Sequence, residues 1–197
     1  MPEPPVDRLA ATRVPIHPDL AARWSPRAFD PDAIMDRDDL LGLLEAARWA
    51  ATWGARQPVR FLVGMRGSDS QDTFTALAGL LKRGNSYAFA ASALILLCAD
   101  DGPDERTALY SRVDAGSALA NLSIEAVARG LHAHPMAGFD APRAREVFAL
   151  PVGLSPLMVI AVGTLGDYAR VPDEIAERDA RARHRLPLEE IVLNWPV

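Results

Sequence analysis

The order of patterned segments predicts an α+β fold, a sheet covered by helices. Two observations carry the prediction. Four short apolar stretches bounded by glycine, proline or acidic residues read as strands, and helical periodicity fills most of the chain between them. The chain also has 197 residues, 49% of them hydrophobic, which suits one compact domain with its own core.

The proline-rich residues 1–20 show no helical or strand period and are expected to form an extended arm, leaving 21–197 as a single domain with a C-terminal tail. A helix is expected over Leu20 to Trp24. In "MDRDDLLGLLEAARWA" Asp36 is an N-cap, Asp39 stands in the box position, and Leu40, Leu43, Leu44, Ala47 and Ala51 share one face. "ATWGARQP" breaks that helix, and "VRFLVGM" is a short strand. A second helical stretch covers about Gln71 to Lys82, followed by "GNS" as a turn. After a short helix, "SALILLCAD" reads as a buried strand.

The pattern from Glu105 to Arg129 stays helical for about seven turns and ends at Gly130, a natural C-cap. Its middle, "DAGSALANLS", is mostly small residues, although a mid-helix glycine costs up to about 1 kcal/mol. Something must approach this helix closely: another backbone, a partner subunit or a flat ligand. "LHAHPMAGF" is a short strand leading into a loop, "DAPRAREVFAL" a helix capped by Asp140, and "SPLMVIAVG" a strand. The tail runs as a charged helix from Glu174 to about Arg183, then "RLPLEEIVLNW" as an extended or hooked segment.

Net charge is −5, so nucleic-acid binding is not indicated and any anion site must be local. The basic residues are almost all arginine, the better bidentate partner for phosphate or carboxylate. "AFAASALILLCA" is too short to span a bilayer, and no secretory signal is seen, so a cytoplasmic protein without a membrane role is expected. Cys98 lies within that apolar run and reads as an inert core thiol. The sequence carries no GxGxxG after a strand, no P-loop, no HExxH, no CxxC and no GxSxG. His132 and His134 share a strand face but lack a carboxylate cluster, so they read as half-buried strand histidines and no metal site is assigned.

In "RWSPRAFDP" Arg23, Ser25 and Arg27 alternate, so in an extended segment they point the same way. The segment is either an anion site or a solvated charged stretch. Arg181, Arg183 and Arg185 form a second cluster, a salt-bridged helix end or, if it converges with the first, part of a dianion site. Trp53 and Gly54 offer a bulky wall beside flexible backbone, and "MAGF" can present close backbone N–H groups.

Four stretches in order, "RWSPRAFDP", "LLEAARWAATWGARQPVRFLVG", "DAGSALANLSIEAVARGLHAHPMAGFD" and "RLPLEEIV", resemble the FMN-dependent nitroreductase family. The resemblance implies a nitroreductase-like mixed sheet flanked by helices, in an intertwined homodimer whose C-terminal tail reaches the partner and whose two FMN sites lie at the subunit interface. It implies a cofactor-binding segment at Arg23, Trp24, Ser25 and Arg27, with Arg23, Ser25 and Arg27 holding the ribityl phosphate and pyrimidine edge and Arg27 near N1. Ala51, Thr52 and Trp53 would come from the partner and lie against the ring. Met136, Ala137 and Gly138 would sit near N5 and O4, and Arg183 or Arg185 would complete the phosphate site. Where the family usually has an asparagine and a tryptophan, this chain has Ala55 and Val59, which removes a side-chain contact to flavin or loop.

The implied activity passes hydride from NADH or NADPH through the flavin to an electron-poor acceptor such as a nitroaromatic, a quinone or free flavin. No side chain is an obligatory catalytic acid or base, since the cofactor carries the chemistry. The competing readings are an FMN store or sensor with little turnover, and a structural homodimer without cofactor. Arg66, outside every motif, is expected to be a neutral position for FMN retention.

Overall fold

The structure, a computed structural model, describes residues 8–194. The first seven residues of the expected arm lie outside the described residues. From Arg8 onward the arm has little regular structure and turns back, the Ala10 N–H donating to the Ala21 carbonyl at 2.9 Å. Helix α1 spans Pro18–Ala22, earlier than the Leu20 to Trp24 expected. Pro18 sits where the helix needs no N–H, and the His17 ring accepts from the Asp19 N–H. The helix stops because Arg23 turns extended, two residues before Ser25, which Pro26 biases the same way.

Helix α2 (Arg37–Arg48) is capped by the Asp36 side chain and buries Leu40, Leu43 and Ala47. Asp39 does not close a capping box; it reaches across to Arg129 at 3.2 Å. Then come β1 (Val59–Met65), α3 (Gln71–Leu80), a 3₁₀ segment over Arg83–Ala90 that absorbs the expected "GNS" turn, and β2 (Ala93–Asp100). Helix α4 (Glu105–Ala128) ends at Gly130, whose φ of +70° suits a residue without Cβ. Strand β3 (His132–Met136), α5 (Ala141–Val147) and β4 (Leu154–Gly163) follow. A 3₁₀ turn at Tyr168–Arg170, α6 (Asp173–Ala180) and α7 (Leu188–Ile191) complete the tail, α7 forming where an extended or hooked segment was expected.

The sheet order is β1-β2-β4-β3, every pairing antiparallel, which gives the α+β architecture the sequence predicts. Strand β2 is buried on both faces, which explains its continuous apolar run. Ile95 and Leu97 face α2 and α4, packing with Leu43, Leu122 and Ile160. Leu94, Leu96 and Cys98 face α3 and α5, packing with Leu77, Phe139 and Ala144. Burial pushes the Cys98 thiol up to about 11, so it stays protonated and inert. A third, smaller cluster joins Trp24 and Ala28 to Tyr168 and Ala176, fastening the arginine-bearing segment to the tail. Among the described residues no helix is long and apolar enough to cross a membrane.

Candidate functional site

Residues 23–27 run extended, with Trp24 and Pro26 buried and Arg23, Ser25 and Arg27 half-buried, as the alternation predicts. Trp24 is a packing residue: its ring meets the His132 ring edge-on at 5.9 Å, and the Arg8 guanidinium lies 4.6 Å from its centre. Arg23 Nη1 lies 3.5 Å from Ser25 Oγ.

The tail converges on this segment. Arg183 donates to the carbonyls of Arg8, Ala21 and Arg23, the last at 2.9 Å, and Arg8 Nη1 donates to the Arg181 carbonyl at 2.8 Å. Arg185 Nη1 donates to the His184 carbonyl. Burial, and after it the charge of Arg185, lowers the Arg23 pKa. Burial followed by Arg23, Arg185 and Arg8 lowers that of Arg183. Four guanidiniums thus crowd one region, and among the described residues none of them pairs with a carboxylate. Such a group has the charge and donors to hold an anion, and it is not a salt-bridged helix end. A cavity of about 710 Å³ adjoins it, with Arg183, Arg185 and Leu188 on one wall and Ala10, Thr12 and Val14 on the other.

Arg27 belongs to a different arrangement. It pairs with Asp179 at 3.0 Å, and Asp179 Oδ2 also accepts from the Arg27 and Ala28 backbone N–H groups and from the Tyr168 hydroxyl. Asp179 is fully buried on α6, and sequence reading missed it because Arg27 and Ala28 lie about 150 residues away. Burial, and then the Asp179 charge, raises the Tyr168 pKa far above the ordinary value, so this hydroxyl is a permanent donor. Arg27 Nε stays buried without an acceptor.

The loop after β3 supplies backbone donors. The Gly138 carbonyl accepts from Lys82 N and Asn85 Nδ2, both at 2.9 Å, and the Phe139 N–H donates to the Ala137 carbonyl at 3.1 Å. Among the described residues neither the Ala137 nor the Gly138 N–H meets a protein acceptor. Met136 ends β3 and is buried. The orphan donors fit the electron-rich edge of a flavin ring, and the arginines fit its phosphate.

Ala51, Thr52 and Trp53 lie elsewhere on the protomer. The Trp53 N–H donates to both oxygens of Asp114, a buried carboxylate of α4, and its ring stacks on Tyr110 at 4.8 Å with 16° between planes. Arg106 sits 5.6 Å from the Trp53 ring centre. Among the described residues no contact joins residues 51–53 to Arg23, Arg183 or Arg185.

A family model described as the nitroreductase family matches residues 20–87 and 64–164. The chain belongs to the nitroreductase family. A crystal structure described as an oxidoreductase containing FMN matches with a TM-score of 0.84 at 33% identity, over 93% of both chains. A nitroreductase-family protein from Streptococcus pneumoniae matches with a TM-score of 0.69 at 20% identity, over 88% of this chain and 96% of that one, a likeness of fold alone. An uncharacterized 15.4 kDa protein from the ask 5′ region of Mycolicibacterium smegmatis is 61% identical over 141 residues, covering 69% of this chain and 95% of its own. The matched span includes segments 23–27 and 136–138. Asp179 and Asn85 are supporting residues outside the four resembling stretches, and Asp114 opens one of them.

Proposed function

We propose that the chain is an FMN-dependent oxidoreductase acting as a homodimer, with NADH or NADPH as electron donor and an electron-poor small molecule as acceptor. One observation carries this reading: Arg23, Arg183 and Arg185, with Arg8 beside them, converge with carbonyls and a hydroxyl as partners and leave a dianion's worth of charge unanswered. The 33% identical neighbour described as containing FMN supports it.

In this site Arg23, Ser25, Arg183 and Arg185 hold the phosphate. Arg27 is kept in place by Asp179 and lends positive charge to the pyrimidine side. The Ala137 and Gly138 N–H groups face the ring's other edge. Ala51, Thr52 and Trp53 of a second copy cover the ring. When bound, FMN supplies the two-electron chemistry between nicotinamide and acceptor, and the protein supplies binding, orientation and exclusion of water.

The test is the visible absorption spectrum of the purified protein after FMN is added and excess removed. A flavin spectrum that bleaches anaerobically with NADH or NADPH is expected. Flavin that stays oxidised with both nucleotides would replace the reductase reading with a binding role, and no retained flavin would refute the cofactor.

A further inference from the structure

Two hydrogen-bonded links from the 3₁₀ segment, Tyr87 through His134 to Pro26 and Asn85 to Gly138, hold the two segments assigned to opposite ends of the cofactor, and their side chains belong to neither segment. Pro26 has no N–H and its carbonyl only accepts, so His134 Nδ1, 2.7 Å away, carries a hydrogen. In the neutral ring Nε2 is then bare, and the Tyr87 hydroxyl at 3.0 Å is its donor. With its hydrogen on the His134 side, Tyr87 Oη lies 3.4 Å from Asn85 Oδ1 without a hydrogen between them, and Asn85 Nδ2 separately donates to the Gly138 carbonyl at 2.9 Å. A Cβ on Gly138 would come within 2.6 Å of Asn85 Nδ2, so the glycine lets the amide close on that carbonyl.

The charged groups around the links keep them in one state near neutrality. Burial lowers the His134 pKa, and Arg27 and Arg178 act in the same direction, against the Pro26 bond and Asp179. Burial pushes the Tyr87 hydroxyl up to about 12, against the pull of Arg27 and Arg178, so it remains a donor. Protonation of His134 would join the two links: Nε2–H would donate to Tyr87, and the Tyr87 hydrogen would turn to Asn85 Oδ1.

We propose that Tyr87, His134 and Asn85 are positioning residues that lock the Met136–Gly138 loop to the arginine-bearing segment, so that the Ala137 and Gly138 N–H groups meet a flavin whose phosphate the arginines hold. The inference rests on the FMN reading above. None of the three side chains needs to touch the cofactor.

The experiment compares wild-type protein with Tyr87→Phe, Asn85→Ala and the double variant, loaded with FMN. The dissociation constant is read by flavin fluorescence, the visible band by absorption and the fold by thermal unfolding of the cofactor-free protein. Each single variant is expected to weaken FMN binding about three- to tenfold and to shift the band of the flavin that remains bound. The double variant should cost about the sum of the two single ones, because Tyr87 and Asn85 anchor different segments. A purely structural role would lower the melting temperature and leave the band unmoved. Folded variants with wild-type affinity and spectrum would overturn the positioning role while leaving the cofactor reading intact. Wild-type protein that binds no FMN would overturn both. Should Tyr87→Phe fail to fold, Asn85→Ala decides, since Asn85 is half-buried at the start of the 3₁₀ segment.

Discussion

Asp179 ties the tail to the arginine-bearing segment by accepting from four donors, three of them in residues 27 and 28. Replacing it by asparagine leaves Arg27 without its counter-charge, and Asp179→Asn is expected to cost about 3 kcal/mol, near the low end for a broken buried pair because Arg27 keeps a quarter of its side-chain surface in water. Urea unfolding measures this; an unchanged midpoint would remove the anchoring role. Arg23→Ala is expected to weaken FMN binding about tenfold or more, by loss of charge-assisted bonds to phosphate. The control should be Arg143, which is exposed on α5, rather than Arg66. Arg66 proves to be structural, donating to the carbonyls of Pro31, Ala33 and Ala91, so its replacement would unsettle the chain just after the site. Burial lowers the pKa values of His132 and His134. The unfolded chain therefore binds protons that the folded one resists, so stability is full above about pH 6.5 and falls as pH drops through that value toward the folded pKa values. His134→Gln should flatten this loss in denaturation measured at pH 7.5 and 5.5; an unchanged slope would assign the dependence elsewhere.

Strand β1 rests on α3 through Gly64, where an added Cβ would collide with the backbone of Thr73 and Phe74. Backbone cannot swing aside as a side-chain tip can, so Gly64→Ala is expected to destabilise by about 3 kcal/mol, and a thermal melt within a degree of wild type would show that strand and helix can part freely. The same contact shows what the sequence could and could not disclose. "VRFLVGM" is legible as a strand and residues 105–128 as a long helix, because apolar spacing and Gly130 act over a few residues. Arg83–Ala90 folds as a 3₁₀ segment because Lys82 and Asn85 bond the Gly138 region, more than fifty residues away, and no local pattern encodes that. The motif residues at Arg23, Ser25 and Arg183 were readable by type and spacing. Their convergence, and the roles of Asp179 and Asn85, depend on pairings between residues far apart in the chain that only folding reveals.

Helix α4 presents Leu109, Val113, Gly116 and Ala120 outward at spacings of four, three and four, one stripe of an otherwise well-packed helix. A Cβ on Gly116 would meet nothing within 4 Å in the protomer. For an isolated protomer alanine there would stabilise the helix by up to about 1 kcal/mol, so the glycine is informative only if another backbone approaches it. The homodimer reading supplies that approach and also brings residues 51–53 of one copy to the arginines of the other. Gly116→Arg is therefore expected to convert the dimer to monomer in sedimentation velocity and to abolish FMN retention in the same sample, because half of the ring's enclosure leaves with the partner. A dimer that survives the arginine would place the interface on another face. A monomer that retains FMN with wild-type affinity would show that the arginines and the Gly138 loop suffice within one chain, and that Trp53 serves only to cover its own Tyr110.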